Sequence, residues 1–250
     1  MPGAAVSLAG AMSAAAVAVA VAGAAAVAAA VAAAMLAPVA QGGRIAAPWR
    51  VVTLPQQGMP VTQYTAEFVD GRDALRVQVQ ASYGNLVHEL PSVAAPKQLR
   101  WAWRIQQPNP AVDLRVKAGD DAAVKVCMSF DLALDRVPFI ERQVLKIARS
   151  RSGQDLPAAT LCWVWGAKEG KGALIPNAFS RRVRYIVLRN GSDALSTWFE
   201  EVRDVAADFN RAFGDEAADA PAVTALIVAG DGDNTGGASV AHVSGLRIDP

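Results

Sequence analysis

The stretch 98–131 constrains the fold of this chain more than any other, because it contains two strongly alternating segments. Residues 99–105 and 124–130 each place an apolar side chain at every second position. Such alternation is typical of a strand with one buried face. The first segment carries Trp101 and Trp103 on its apolar face. The pair of segments therefore predicts the centre of a β-sheet core.

The rest of the chain predicts about nine or ten strands and two helices, without a βαβ alternation. Asp70-Gly71 joins two alternating segments and is a hairpin signal. One helix is expected over residues 140–148, where apolar residues recur at helical spacing opposite charged ones. A second is expected over residues 202–213 and ends at Gly214. This pattern predicts an all-β, two-sheet β-sandwich of the jelly-roll kind with two short helical excursions.

The N-terminal residues 1–43 contain no charged side chain, and residues 14–34 are alanine and valine with one glycine. This length can cross a bilayer. The small residues Ala37 and Ala40 that follow favour a cleaved export signal, with a mature chain that begins near Gln41. A retained membrane anchor and a disordered extension are the alternatives. We therefore expect a periplasmic or secreted protein with a single domain over residues 44–250.

Composition excludes several classes of function. The net charge is +1 and no basic stripe is present, so no nucleic-acid partner is expected. The two cysteines and two histidines are scattered, which excludes a four-ligand zinc site. The sequence has no G-x-S-x-G elbow and no phosphate-binding glycine motif.

The cysteines Cys127 and Cys162 both fall in predicted core strands. An exported protein can form a disulfide. A bridge needs two Cα atoms within about 7 Å, and free cysteine is itself often buried. The sequence leaves both states open.

Two tryptophan pairs have two interpretations. Trp101 with Trp103, and Trp163 with Trp165, could form a stacking platform for sugar rings or lie in an apolar core. Because Trp165 stands at a strand end beside Gly166, it is the one expected to reach a surface cleft.

The loop 231–236 offers carboxylate and amide oxygens. Such oxygens suit a hard cation, which makes Asp231 and Asp233 calcium candidates. The loop lacks the full EF-hand pattern, so the metal prediction is none, and an Asx-rich turn is the alternative. Asp120 and Asp121 offer the same choice between a ligand and a turn.

A carboxylate pair for glycoside hydrolysis could combine Glu201 with Asp231 or Asp233, since that chemistry needs two carboxyl groups across a cleft. The alternative for Glu200 and Glu201 is the N-terminus of a helix, where acidic residues complement the dipole.

Four motifs stand out together: Gly119-Asp120-Asp121, Trp163-Val164-Trp165-Gly166, Glu201-Val202-Arg203-Asp204 and Asp231 to Thr235. With them the chain resembles a bacterial secreted family, domain of unknown function 3047, over roughly Trp49 to Ile248. No activity is assigned to that family. Its strand order is similar to that of galactose-binding-like jelly rolls, which implies carbohydrate binding as an expectation by analogy of fold.

We therefore expect an exported domain that binds carbohydrate or another cell-envelope polymer at the loop end of the sandwich. The alternatives are a hydrolase of such a polymer, with Glu201, Asp231 or Asp233 as catalytic carboxylates, and a structural envelope protein. Whether it is an enzyme, and its oligomeric state, stay open; a membrane partner is expected only if the N-terminal segment is retained. The expected ligand-binding residues are Trp165, Arg189, Arg203, Asp231, Asp233, Asn234 and Thr235.

Overall fold

The computed structural model describes residues 36–55 and 57–249. Within them the chain forms twelve strands and two α-helices. The helices are α1 (Phe139–Ser152) and α2 (Val205–Phe213). The strands are β1 (Arg50–Val52), β2 (Gln63–Val69), β3 (Arg72–Gln80), β4 (Asn85–Val93), β5 (Gln98–Gln107), β6 (Ala122–Phe130), β7 (Ala159–Trp165), β8 (Leu174–Pro176), β9 (Val183–Arg189), β10 (Phe199–Asp204), β11 (Val223–Asp231) and β12 (Ala238–Asp249).

The strands form two sheets that share one apolar core. The larger sheet has seven strands in the order β1-β4-β11-β6-β7-β9-β8, and the smaller has five in the order β10-β5-β12-β3-β2. Neighbours run antiparallel except β7 and β9, which are parallel. The predicted two-sheet jelly-roll sandwich with two helical excursions is confirmed. The hairpin between β2 and β3 turns at Asp70 and Gly71, which both have positive φ angles, as a two-residue turn with the strand twist requires.

The core between the sheets is built around tryptophans. Trp101 and Trp103 on β5 face Trp163 and Trp165 on β7, and all four side chains are buried. The rings of Trp101 and Trp163 lie 5.6 Å apart, and those of Trp103 and Trp165 lie 5.7 Å apart. Aromatic contacts at this separation add to the free energy of area burial. The alternation that predicted the strands therefore also marks the centre of the sandwich.

Cys127 on β6 stands directly opposite Cys162 on β7, and the two form a disulfide. Both lie on the face of the seven-stranded sheet that points away from the shared core. A second, smaller apolar cluster surrounds them, with Val164, Tyr185 and Ile175 among its members. The bridge that the sequence left open is thus present in the structure.

The segment expected to form a helix N-terminus is instead an edge strand. Glu200 and Glu201 lie on β10, which pairs with β5. Helix α2 begins only at Val205, where the Asp204 carboxylate caps it by accepting a hydrogen bond of 2.9 Å from the Ala207 N–H. The interpretation of Glu200 and Glu201 as dipole partners is therefore wrong. The predicted end at Gly214 is confirmed.

Helix α1 forms where it was predicted, but its apolar stripe points to solvent. Only Leu145 is buried, whereas Ile140, Val144 and Ile147 are exposed. An amphipathic helix of a globular protein normally turns this stripe to the core.

Residues 1–35 of the predicted export segment, which spans residues 1–43, lie outside the described residues. Residues 36–40 pack against the domain that the sequence predicted to begin at residue 44. Val39 is 3% exposed and belongs to the core, and the Ala37 carbonyl accepts a hydrogen bond of 2.8 Å from the Trp49 indole. The Ala37 N–H donates to His88 at 3.2 Å. Neither described helix has the length and apolar character needed to cross a membrane.

Candidate functional site

A groove of about 720 Å³ lies on the outer face of the seven-stranded sheet, over the neighbouring strands β1, β4, β11 and β6. Its floor consists of side chains that these strands direct away from the core, such as Val87 and Ile227. Its wall is the loop 154–158, which follows α1. Four strands at a spacing of ~4.8 Å give a floor roughly 15 Å across. Side chains on a sheet are held more precisely than side chains on a loop.

The polar lining of the groove combines donors and acceptors. The Asn85 side-chain amide donates to the Tyr83 phenol oxygen at 3.1 Å, and both residues are half-buried. Arg50 on β1 forms an ion pair with Glu89 on β4, and both side chains are more than half exposed. Amide, phenol, guanidinium and carboxylate groups together can bond to hydroxyl groups in either direction.

One end of the groove floor continues into a buried ionic cluster. Asn85 pairs in register with Ala229, and Ala229 pairs with Lys125, so the three residues lie side by side across β4, β11 and β6. The Lys125 ammonium donates to the Asp231 carboxylate, and the two side chains are 11% and 7% exposed. Burial by itself would lower the pKa of Lys125. The Asp231 carboxylate outweighs this effect, so the pKa of Lys125 lies well above its ordinary value.

The predicted ligand residues Asn234 and Thr235 bind to the protein itself. Asp121 is fully buried and accepts from the Asn234 amide at 3.1 Å. Its other oxygen accepts from the Thr235 N–H at 2.8 Å and from the Thr235 hydroxyl at 2.6 Å. These bonds fasten the loop after β11 to the start of β6. Their geometry supports the Asx-rich turn rather than a ligand contact.

Asp120 is buried beside this cluster, and one of its carboxyl oxygens lacks a hydrogen-bond partner among the described residues. One of its oxygens accepts from the Asn177 amide, whereas Oδ1 has no partner in the described part of the chain. Burial raises the pKa of Asp120 to about 6, although Lys125 acts in the opposite direction. Asn177 also donates to the Tyr185 phenol at 2.7 Å. Near neutral pH a carboxyl group of this kind can hold a proton.

The calcium candidates Asp231 and Asp233 lie close to Asp121, with one oxygen of each residue within 4.8 Å of the others. Burial, and next the charge of Asp231, raise the pKa of Asp233. Three such oxygens resemble the ligands of a hard cation. The Lys125 ammonium already places a positive charge on Asp231, and the bonds described above occupy both oxygens of Asp121. The metal prediction for this loop, none with calcium as the weaker candidate, stays a prediction.

The other predicted residues form a separate group at the edge of the tryptophan core. Glu201 accepts from the Trp103 indole at 3.0 Å and from Arg189 at 2.7 Å. Arg203 binds both oxygens of Asp208, at 2.8 and 2.7 Å. Asp208 in turn accepts from the Trp163 indole at 2.7 Å. These carboxylates therefore satisfy the buried indole N–H groups of Trp103 and Trp163, and the arginines balance their charge.

The structure does not bring Glu201 together with Asp231 or Asp233. Among the described residues no hydrogen bond or ion pair joins the two groups. None of the three carboxylates lines the groove either. Glycoside hydrolysis by a carboxylate pair needs both groups to face one cleft. The predicted pairing therefore has no support in this geometry.

Trp165 is 4% exposed, which is incompatible with its predicted role in a surface cleft. Its ring packs against Trp103 and Phe199, and its indole donates to the Asn190 carbonyl at 3.1 Å. Trp165 does stand at a strand end, but Phe199 of β10 and the loop after β9 close that end of the core. The interpretation as a core residue applies to all four strand tryptophans.

Reasoning from the sequence did not single out the residues of the groove: Arg50, Tyr83, Asn85 and Glu89. A signal was present, because residues 85–90 alternate and their outward positions include Asn85 and Glu89. What was missing was the pairing of β4 with β1 and β11, which brings these side chains to one surface.

The family model described as protein of unknown function, DUF3047, matches residues 47–247. The chain belongs to the DUF3047 family. The resemblance seen in the motifs is thus confirmed, and the match covers every strand of the DUF3047 domain except the last residues of β12. No curated protein matches the sequence.

Solved structures with a similar chain path are glycoside hydrolases of low identity. The endoglucanase cel12A from Rhodothermus marinus is 12% identical, with 86% of this chain and 97% of that chain covered and a TM-score of 0.40. Endoglucanase 3 of family GH12 from Trichoderma harzianum is 9% identical, with coverages of 82% and 100% and a TM-score of 0.40. The family 11 xylanase from Neocallimastix patriciarum is 10% identical, with coverages of 84% and 94% and a TM-score of 0.36. These values identify neither an active site nor a substrate for this chain.

Proposed function

We propose that the DUF3047 domain binds a carbohydrate chain, or a comparable hydroxyl-rich polymer of the cell envelope, in the groove on the seven-stranded sheet. The observation that carries the proposal is the groove itself, which crosses four strands and has a mixed polar and apolar lining. Ligand sites are typically concave, with a few oriented polar groups on an apolar floor. The open form of this groove suits an extended ligand.

The groups in the groove fit the chemistry of sugar hydroxyls, each of which donates and accepts. Asn85 supplies a carbonyl oxygen as well as its amide, and the Arg50–Glu89 pair supplies donors and an acceptor side by side. Tyr83 adds a half-buried aromatic ring next to the polar groups. Aromatic side chains present large apolar area with a polar end, which suits the face of a pyranose ring.

Binding fits the geometry better than hydrolysis. The carboxylates that a hydrolase would use by the sequence prediction are engaged in the Lys125 cluster or in the tryptophan core. The groove carboxylate Glu89 is exposed and forms an ion pair with Arg50, so it is engaged as well.

Export is part of the proposal and is supported by the disulfide. Cys127 and Cys162 are joined, and disulfides persist mainly in oxidising compartments such as the periplasm or the exterior. The uncharged apolar segment in residues 1–43 fits the same destination.

Affinity electrophoresis tests the proposal. The chain is run through gels that contain single soluble polysaccharides of bacterial envelopes, beside a Tyr83→Ala variant. Retardation of the wild type, reduced in the variant, supports binding in the groove. Equal migration with and without every polysaccharide overturns it. If the chain releases new reducing ends from a polymer that retards it, the proposed function changes from binding alone to hydrolysis of that polymer.

A further inference from the structure

Helix α1 presents an apolar stripe to solvent. Phe139, Ile140, Val144 and Ile147 are 67%, 76%, 60% and 52% exposed, so four of the thirteen large exposed apolar side chains in the described residues lie on this one helix. Ile140, Val144 and Ile147 follow the i, i+4, i+7 spacing of a single helix face. We call these three residues the α1 stripe. A continuous exposed apolar face of this kind marks an interaction site.

The domain holds α1 in this orientation by its opposite face. Leu145 packs into the core, and Glu141 pairs with the buried Arg182 of the segment before β9. At the other end, Arg149 donates to the Leu156 carbonyl through Nε at 2.9 Å and through a second nitrogen at 2.6 Å. Because these contacts use the inward face, the α1 stripe cannot turn to the core without breaking them.

The flanks of the α1 stripe are basic. Lys146 and Arg151 lie on α1, and neither of them forms an ion pair within the described part of the chain. Arg181 lies beside the first turn, where its Nε is 3.3 Å from Glu141, and its side chain is 68% exposed. The acidic residue of the helix, Glu141, faces inward to Arg182. An apolar stripe with cations on its flanks is the pattern of helices that lie in the interface of an anionic membrane.

We propose that α1 docks the domain on an anionic lipid surface. The α1 stripe enters the boundary between headgroups and acyl chains, and the flanking cations lie at the level of the anionic headgroups. Charge complementarity favours this occupant over a second copy of the chain, since two copies joined stripe to stripe would bring Lys146 and Arg151 of both into one interface. This surface is distinct from the groove, and its use does not depend on the groove binding a polymer.

Vesicle flotation of the full-length chain tests the docking. Vesicles of phosphatidylcholine alone are compared with vesicles that also contain phosphatidylglycerol, and the neutral vesicles measure any contribution of the N-terminal apolar segment. The variant Ile140→Ser/Val144→Ser/Ile147→Ser removes the stripe, and Lys146→Glu/Arg151→Glu reverses two flanking charges. Phe68→Ser, at a side chain 72% exposed on β2, is the matched control.

The wild type and Phe68→Ser are expected to gain binding when phosphatidylglycerol is present. The serine variant should lose this gain. The charge variant should partition at least roughly thirtyfold more weakly, because the loss of two cations at about 1 kcal/mol each already gives that fold-change and the two new carboxylates are repelled by the anionic headgroups. Melting temperatures should stay near that of the wild type, because the replaced side chains are exposed. Equal binding of wild type and serine variant overturns the proposal. A wild-type dimer that the serine variant converts to a monomer, without lipid binding, also overturns it and assigns the α1 stripe to a second copy.

Discussion

Trp103 and Trp165 contact each other across the two sheets, with ring centroids 5.7 Å apart. This contact ties the end of β7 to the middle of β5, so Trp165 serves the core rather than a cleft. We expect Trp165→Ala to lower the free energy of unfolding by about 3–5 kcal/mol, the usual cost of such a truncation in a core. Urea denaturation measures it, with the half-buried Trp198→Ala as a milder control. A loss as small as that of the control would place Trp165 outside the core.

The carboxyl group of Asp120 should make stability depend on pH. Its pKa is about 6 in the folded chain, above its ordinary value of 3.8, so the folded state binds more protons between these values. Stability should therefore fall as pH rises from about 4 to about 6. Asp120→Asn is neutral throughout and should lack this fall, which urea denaturation at several pH values can measure.

A matched control for Asp120 is Asp113→Asn. A hydrogen bond from Lys168 lowers the pKa of the Asp113 carboxyl group, so this group favours the folded state as pH rises above its folded pKa. The two variants should change the pH profile in opposite senses. Superimposable profiles for wild type and Asp120→Asn would show that Asp120 titrates normally.

The disulfide predicts that the denatured, unreduced protein has no reactive thiol. Cys127 and Cys162 are separated by 35 residues. Closing a loop of that length stabilises the folded state by about 3–4 kcal/mol in the chain-entropy model. Cys127→Ala/Cys162→Ala should lose up to this amount, compared with the oxidised wild type. Two titratable thiols in the native preparation would be incompatible with the bridge.

The segment 36–40 should contribute to stability. A chain that begins at Gln41 loses Val39 from the core and leaves the Trp49 indole without its bond to Ala37. It should melt at a lower temperature than a chain that begins at Leu36. Val39→Ser in the longer chain separates the buried side chain from the backbone contacts. Identical melting curves for the two chains would show that the domain begins after residue 40.

The sequence predicted the strands and helices better than it predicted what packs against them. Alternation at Trp101 and Trp103 identified a core strand, because a period of two is a local property of the chain. The orientation of α1 was not local: it depends on Glu141 reaching Arg182, some forty residues further along the chain. The burial of Trp165 likewise depends on β5 and β10, whose residues Trp103 and Phe199 pack against its ring.

The candidate site shows the same limit. Asp231, Asn234 and Thr235 stood out because turn-forming residues cluster there, and the structure shows that they bind Lys125 and Asp121. The groove escaped notice because its polar residues come from separate strands. Only the register of β4 against β1 and β11 brings Asn85 and Arg50 to one face.

The central claim is that the groove binds a hydroxyl-rich polymer, and calorimetric titration of Asn85→Ala against wild type tests it most directly. The ligand is the polysaccharide that most retards the wild type, used as size-defined oligomers. Thr65→Ala, at an exposed position on the opposite sheet, is the control. We expect Asn85→Ala to weaken binding by about 1–3 kcal/mol. The variant loses the hydrogen bonds of Asn85 to the ligand and the hydrogen bond that holds the Tyr83 phenol in place. The control should bind as the wild type does. Equal affinity of Asn85→Ala and wild type for every oligomer that binds would contradict the groove as the site.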